Sequence, residues 1–247
     1  MTRGDLMPPT TARSPRRPLL LAAVAATVVV LVGGATALLV GAPGQGGSPL
    51  TAPPTAKTPS ASAIPELSRR NANDQRALGK VDAPVVLIEW SDYRCPFCGV
   101  FARDTQPALV REYVDKGLLR IEWHDMPVFG DQSIDAAVAG RAAAAQGRFW
   151  QFHEKVYDVA PSRGHADLSR ERLLDLARQA GVPDMAAFEA TLDDVAVRAD
   201  VQREQQEGYA LGITGTPTFL IGSTPLVGAQ PVDVFRDAID QQLKAGT

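Results

Sequence analysis

The stretch A-P-V-V-L-I-E-W, Ala83–Trp90, runs straight into S-D-Y-R-C-P-F-C and leaves this chain few architectures. Val85–Ile88 is a continuous apolar run, so the strand it makes has no wet face and belongs inside a covered sheet. The pattern then changes. Val100, Phe101, Pro107, Leu109, Val110 and Val114 recur at helical spacing from near Cys95 to D-K-G, where Gly117 suits a helix C-terminus. Pro107 predicts a kink in that helix. L-L-R-I-E-W-H, Leu118–His124, alternates as a second strand, and a helix-length crossover favours parallel pairing.

From about 130 to 211 the chain reads as helices. S-I-D-A-A-V-A-G-R-A-A-A-A-Q takes Ser133 as its cap, F-W-Q-F-H-E-K-V-Y-D follows, and a third helix is bracketed by Ser169 and Gly181. D-M-A-A-F-E-A-T-L is short; the next helix is long, and its alternating charges over 193–207 read as a solvated face. Strand signals return at T-P-T-F-L-I, Thr216–Ile221, with a turn at Gly222–Ser223 and P-L-V-G as hairpin partner. In the closing helix Pro231 suits the first position, and Val232, Phe235, Ile239 and Leu243 share one face. The order is βαβ, a helical block, then ββα: an α/β fold in which both ends build one sheet and the block is inserted.

The N-terminal part is of another kind. Leu19–Val40 carries no charge and at a helical rise spans roughly 30 Å, the thickness of a bilayer core. Arg13, Arg16 and Arg17 precede it, so residues 1–18 are expected in the cytoplasm and everything after Val40 outside. A-T-A at Ala35–Ala37 also fits a cleaved signal, which would release the domain, although the run exceeds the usual signal length. Residues 41–68, rich in Gly, Pro, Ser, Thr and Ala, cannot bury enough surface to offset chain entropy and read as a flexible linker. With 25 basic against 28 acidic residues, no basic field is available to hold nucleic acid.

Cys95 and Cys98 are the only cysteines. Cys95 falls where a loop enters a helix, and the amides and dipole there favour an anion such as a thiolate. Pro96 has the fixed φ of a first helical residue, and Cys98 is one turn on. The spacing suits an exposed nucleophile with a resolving thiol. A structural disulfide would close a very small loop and remove little unfolded-state entropy. A metal site would need about four ligands; the three histidines, His124, His153 and His165, form no close pair and read as surface or half-buried residues.

G-K-V-D-A-P-V-V-L-I-E-W-S-D-Y-R-C-P-F-C, with G-I-T-G-T-P-T-F-L-I-G-S-T-P-L-V-G further on, resembles the DsbA family of extracytoplasmic thiol–disulfide oxidoreductases from about Ala77 to the C-terminus. The resemblance implies a thioredoxin-like sheet with an inserted helical domain over 69–247. It implies Cys95 as nucleophile, Cys98 as resolving cysteine, and a redox-active disulfide with no metal and no further cofactor. Thr216–Pro217 matches a loop whose proline is cis and faces the disulfide; the bare alternative is a turn proline opening a strand. Glu89 matches a buried carboxylate that exchanges a proton with Cys98, and burial would raise its pKa. The bare alternative is a strand-end Glu in water.

The dipeptide between the cysteines departs from the family's strongest oxidants, which carry His where this chain has Phe97. Phe97 offers neither charge nor N–H, so a less acidic Cys95 and a less oxidising disulfide are expected. The activity implied is donation of the Cys95–Cys98 disulfide to unfolded or reduced secreted proteins. A quinone-linked membrane protein, DsbB-like or vitamin K epoxide reductase-like, would restore it. A reductase or isomerase on the same fold, and a tethered binding or chaperone module with a structural disulfide, are the competing readings.

Overall fold

The computed structural model describes residues 67–246. The expected cytoplasmic segment 1–18, the Leu19–Val40 span and nearly all of the 41–68 linker lie outside the described residues. Ala77–Leu78 (β1), Val85–Ser91 (β2), Leu119–Asp125 (β3), Thr218–Ile221 (β4) and Thr224–Val227 (β5) form one sheet in the order β1-β3-β2-β4-β5. β2 and β3 pair in parallel, Glu89 opposite Trp123 and Ser91 opposite Asp125; the other pairings are antiparallel. β1, two residues long, is too short to carry a readable pattern in the sequence.

β2 is buried along its whole length, and its alternate residues feed two layers. Val85 and Leu87 join Phe101, Leu109, Ile121, Phe219 and Phe235. Val86, Ile88 and Trp90 join Met126, Ile213 and Leu220 on the opposite face. β3 is covered on both faces too, so its alternation in sequence does not mark a wet side.

The crossover, α1, is one helical run: Pro96–Val100, a π-helical turn Phe101–Thr105, Gln106–Leu109 and a second π-helical turn Val110–Val114. Pro107 falls in the turn that directly follows the first of these wide turns.

Five helices lie between β3 and β4: Asp131–Ala144 (α2), Phe149–Asp158 (α3), Arg170–Gln179 (α4), Met185–Leu192 (α5) and Val195–Ala210 (α6). Ser169 caps α4 by accepting from the Arg172 amide, and Gly181 closes it at φ 71°. Ser133 is not a cap: α2 begins at Asp131 after Gly130, and Ser133 is buried inside the first turn. The last helix, Val232–Ala245 (α7), likewise starts one residue after Pro231, which is its N-cap. Among the described residues no helix is long and apolar enough to cross a membrane.

Candidate active site

Cys95 is the N-cap of α1, with extended backbone at φ −74° and ψ 120°, and Pro96 follows in the first turn. The approach from β2 is fixed by Asp92. Its carboxylate accepts from the amides of Arg94 (2.8 Å), Val128 (2.7 Å) and Phe129 (3.2 Å), and its carbonyl accepts from the Cys95 amide at 3.0 Å. Arg94 ties the loop to the inserted block, donating to the carbonyls of Ala166 (2.8 Å) and Phe129 (2.5 Å). His165 Nδ1 lies 3.2 Å from the Arg94 carbonyl, and its ring packs on Phe129.

The Thr216–Pro217 peptide bond is cis. Cys95 Sγ donates to the Thr216 carbonyl at 3.2 Å, and the Thr216 hydroxyl is buried with no hydrogen-bond partner among the described residues. The expectation of an exposed nucleophile is corrected: both thiols are free and buried, and Cys95 keeps 1% of its surface. Phe97 beside it is the exposed member of the motif, at 63%.

The two thiols differ in acidity. Cys98 and then the Thr216 side chain and the amides of Cys98 and Phe97 favour the Cys95 thiolate over the opposing effect of burial, bringing its pKa down to about 6. Phe97 and Cys98 hold the second and third positions of the helix, the amides an N-cap acceptor normally takes. Cys98 is pushed well above the ordinary thiol range, by burial first and then by its neighbour Cys95. One thiol is therefore held ready to ionise and the other held protonated.

Glu89 is fully buried, so it is not a strand-end residue in water. Burial raises its pKa to about 8, with the Ser91 hydroxyl acting in the other direction. It shares the α1-facing side of β2 with Val85 and Leu87. Around it stand residues the sequence did not single out. Tyr157 donates to the Asp92 carbonyl at 3.0 Å, Ser91 Oγ lies 3.3 Å from the Tyr157 hydroxyl, and Tyr93 stacks on Trp123. His153, expected at the surface or half-buried, is inside this aromatic cluster, and burial lowers its pKa to about 3.

A nucleophilic thiolate at a helix mouth, with a protonated thiol one turn behind it, performs thiol–disulfide exchange. This protein is accordingly a thiol–disulfide oxidoreductase on a thioredoxin-type sheet. Residues 71–241 match the family model described as Thioredoxin, and the chain belongs to that family, in its DsbA group. It is 28% identical over 172 residues to disulfide bond formation protein D of Bacillus subtilis, covering 69% of this chain and 78% of that one. Oxidised BdbD from Bacillus subtilis superposes with a TM-score of 0.65 at 27% identity, covering 70% of this chain and 95% of that one. Wolbachia pipientis alpha-DsbA1 shares the fold, with a TM-score of 0.62, 22% identity, and 69% and 92% coverage.

Proposed function

We propose that this protein is a disulfide donor acting outside the cytoplasm, held at the membrane by Leu19–Val40 and free to turn on the 41–68 linker. The observation that supports the direction is the lowered Cys95 pKa, about 6: a stabilised thiolate favours the dithiol form and so favours giving the disulfide away. A substrate thiolate attacks Cys95 of the disulfide, and Cys98 leaves and takes up a proton, which Glu89 supplies. A second substrate thiolate then attacks the substrate sulfur of the mixed disulfide. Cys95 leaves as a stabilised thiolate, and a lower leaving-group pKa speeds that step. The substrate is oxidised by two electrons and this protein is left as a dithiol.

Reoxidation passes those two electrons to a quinone-linked membrane partner, DsbB-like or vitamin K epoxide reductase-like. Relatives named for disulfide bond formation support the donor reading. No further cofactor is required, because the redox chemistry resides in the two sulfurs. Phe97, exposed and apolar next to Cys95, suits contact with unfolded chains.

The test is the thiol state of Cys95 in intact cells, together with trapping by Cys98→Ala. A donor is recovered mainly oxidised, and the variant accumulates mixed disulfides with secreted proteins. Recovery of the protein mainly as dithiol would reverse the direction, and absence of any trapped partner would remove the donor activity.

A further inference from the structure

We propose that Tyr157 is a positioning residue for the nucleophile: from the inserted block it holds, at two points, the turn and the helix that present Cys95. This rests on the reading that Cys95 is the attacking cysteine and adds what keeps it in place. One oxygen is shared. The Asp92 carbonyl accepts the Cys95 amide at 3.0 Å and the Tyr157 hydroxyl at 3.0 Å. That carbonyl belongs to the loop between β2 and α1, whereas Tyr157 is the next-to-last residue of α3. Ser91 Oγ lies 3.3 Å from the same hydroxyl, and since Tyr157 has spent its one proton on Asp92, Ser91 is the donor there.

The backbone of Tyr157 holds the other side of the turn. Its carbonyl, left open at the end of α3, accepts from Arg103 Nη1 at 2.5 Å and from the Ala160 amide at 3.2 Å. Arg103 is on α1, about two turns beyond Cys95. Gly99, the residue after Cys98, makes room for this approach. A Cβ there would stand 2.9 Å from Arg103 Nη1, 3.3 Å from the Ala160 Cβ and 3.4 Å from Tyr157 Cδ1. The Tyr157 ring is itself fixed: it is buried, edge-on to His153 at 4.8 Å and 5.6 Å from Tyr93. The loop before Cys95 and the helix after it are therefore tied to one residue.

The consequence falls on the sulfur. Cys95 is the N-cap of α1, and its Sγ meets the Thr216 carbonyl at 3.2 Å. Its distances to the helix amides and to Thr216 follow from the Cys95 backbone, which the Asp92 carbonyl anchors. Without the Tyr157 hydroxyl that carbonyl keeps one donor, the Cys95 amide, and the turn loses its tie to the inserted block. A reacting group depends on such support, because a shift of about 1 Å is enough to weaken a site.

The test follows iodoacetamide alkylation of Cys95 against pH in reduced full-length protein, with urea stability measured on each variant. Tyr157→Phe keeps the ring and removes the hydroxyl. Its midpoint should rise by roughly half a unit, about threefold in the ionisation constant. Its equilibrium with glutathione should move about threefold toward the disulfide. Arg103→Met, which frees the α3 end and leaves the hydroxyl, should raise the midpoint by less. Tyr113→Phe is the control: it removes a tyrosine hydrogen bond from the same helix, to Asp240 at 3.0 Å, and should leave the midpoint where it is. A Tyr157→Phe that loses stability with an unchanged midpoint is merely structural and overturns the proposal, as does an equal rise in Tyr113→Phe. An unchanged midpoint in Arg103→Met overturns the second point of hold. An ordinary thiol midpoint of ~8.5 in wild type would remove the reading of Cys95 as nucleophile, and the positioning role with it.

Discussion

Cys95 Sγ sits 3.2 Å from the Thr216 carbonyl oxygen, and the hydroxyl of the same threonine is buried with no competing partner among the described residues. A thiol donates to the carbonyl, but a thiolate cannot; it needs donors, and after Cys98 the Thr216 side chain is the next group that lowers the Cys95 pKa. Thr216→Val keeps the shape and removes that donor. The midpoint of Cys95 alkylation against pH should rise from about 6 by roughly one unit. One unit is about 1.4 kcal/mol, which makes the disulfide about 30 mV less oxidising. An unchanged midpoint would mean that the helix amides and Cys98 hold the thiolate without it.

Phe97 is 63% exposed, so its replacement costs little packing, and it carries no charge toward the neighbouring sulfur. Phe97→His puts a titratable cation beside the Cys95 thiolate and should lower its pKa further. In a glutathione redox titration the disulfide becomes more oxidising by about 30 mV for each pKa unit gained. The nucleophilic cysteine of thioredoxin ionises near pH ~7 and that of DsbA near ~3.5, and the wild-type value of about 6 lies between them. A shift toward a more reducing disulfide would contradict the electrostatic account.

Glu89 holds its proton to about pH 8 when folded, against 4.5 for an ordinary glutamate. Between those values the unfolded chain has lost the proton and the folded chain has kept it. Stability therefore falls as pH rises across this window, by up to about 1.4 kcal/mol per pH unit. Glu89→Gln removes this slope. Urea unfolding of the oxidised form, in which neither thiol titrates, should show the variant gaining on wild type from about pH 5 to about pH 8. Parallel pH profiles would place the Glu89 carboxyl in a far wetter site than its 0% exposure describes.

What was legible in the chain was what is local. The apolar run of β2, the Pro96 helix start, the Ser169 cap and the Val232, Phe235, Ile239 and Leu243 stripe are short-range patterns, and each is realised. Cys95 and Cys98 could be named because their spacing and flanks are distinctive, and Thr216 because T-P-T-F-L-I resembles the family's loop. Asp92, Arg94 and Tyr157 could not, because each acts through a partner far along the chain: Val128, Ala166 and Asp92 itself. The same reason explains the reading of 193–207 as a solvated face. That stretch is mostly polar, but Glu204 is buried, and the groups that compensate it come from residues 69, 76, 124 and 141.

Glu204 also gives a stability prediction independent of the redox site. One of its oxygens takes Arg69 and His124, each at 3.1 Å, and the other takes Arg76 at 2.8 Å and Arg141 at 2.5 Å. Arg76 and Arg141 also share Asp125, which accepts from Trp123 Nε1. Burial pushes the Glu204 pKa up, but His124, Arg76 and Arg141 outweigh it and hold it well below 4.5. Glu204→Gln leaves three guanidinium groups with too little negative charge and should cost about 3 kcal/mol, the low end for removing one partner of a buried pair. Because the folded pKa is depressed, wild type carries its full advantage above about 4.5 and loses it as pH falls through the folded value. Urea unfolding at about pH 7 and at about pH 3 should therefore give a large and then a smaller difference, with Cys95 alkylation unchanged. Equal stability near neutral pH would mean that the three arginines, His124 and Asp125 rearrange to do without this carboxylate.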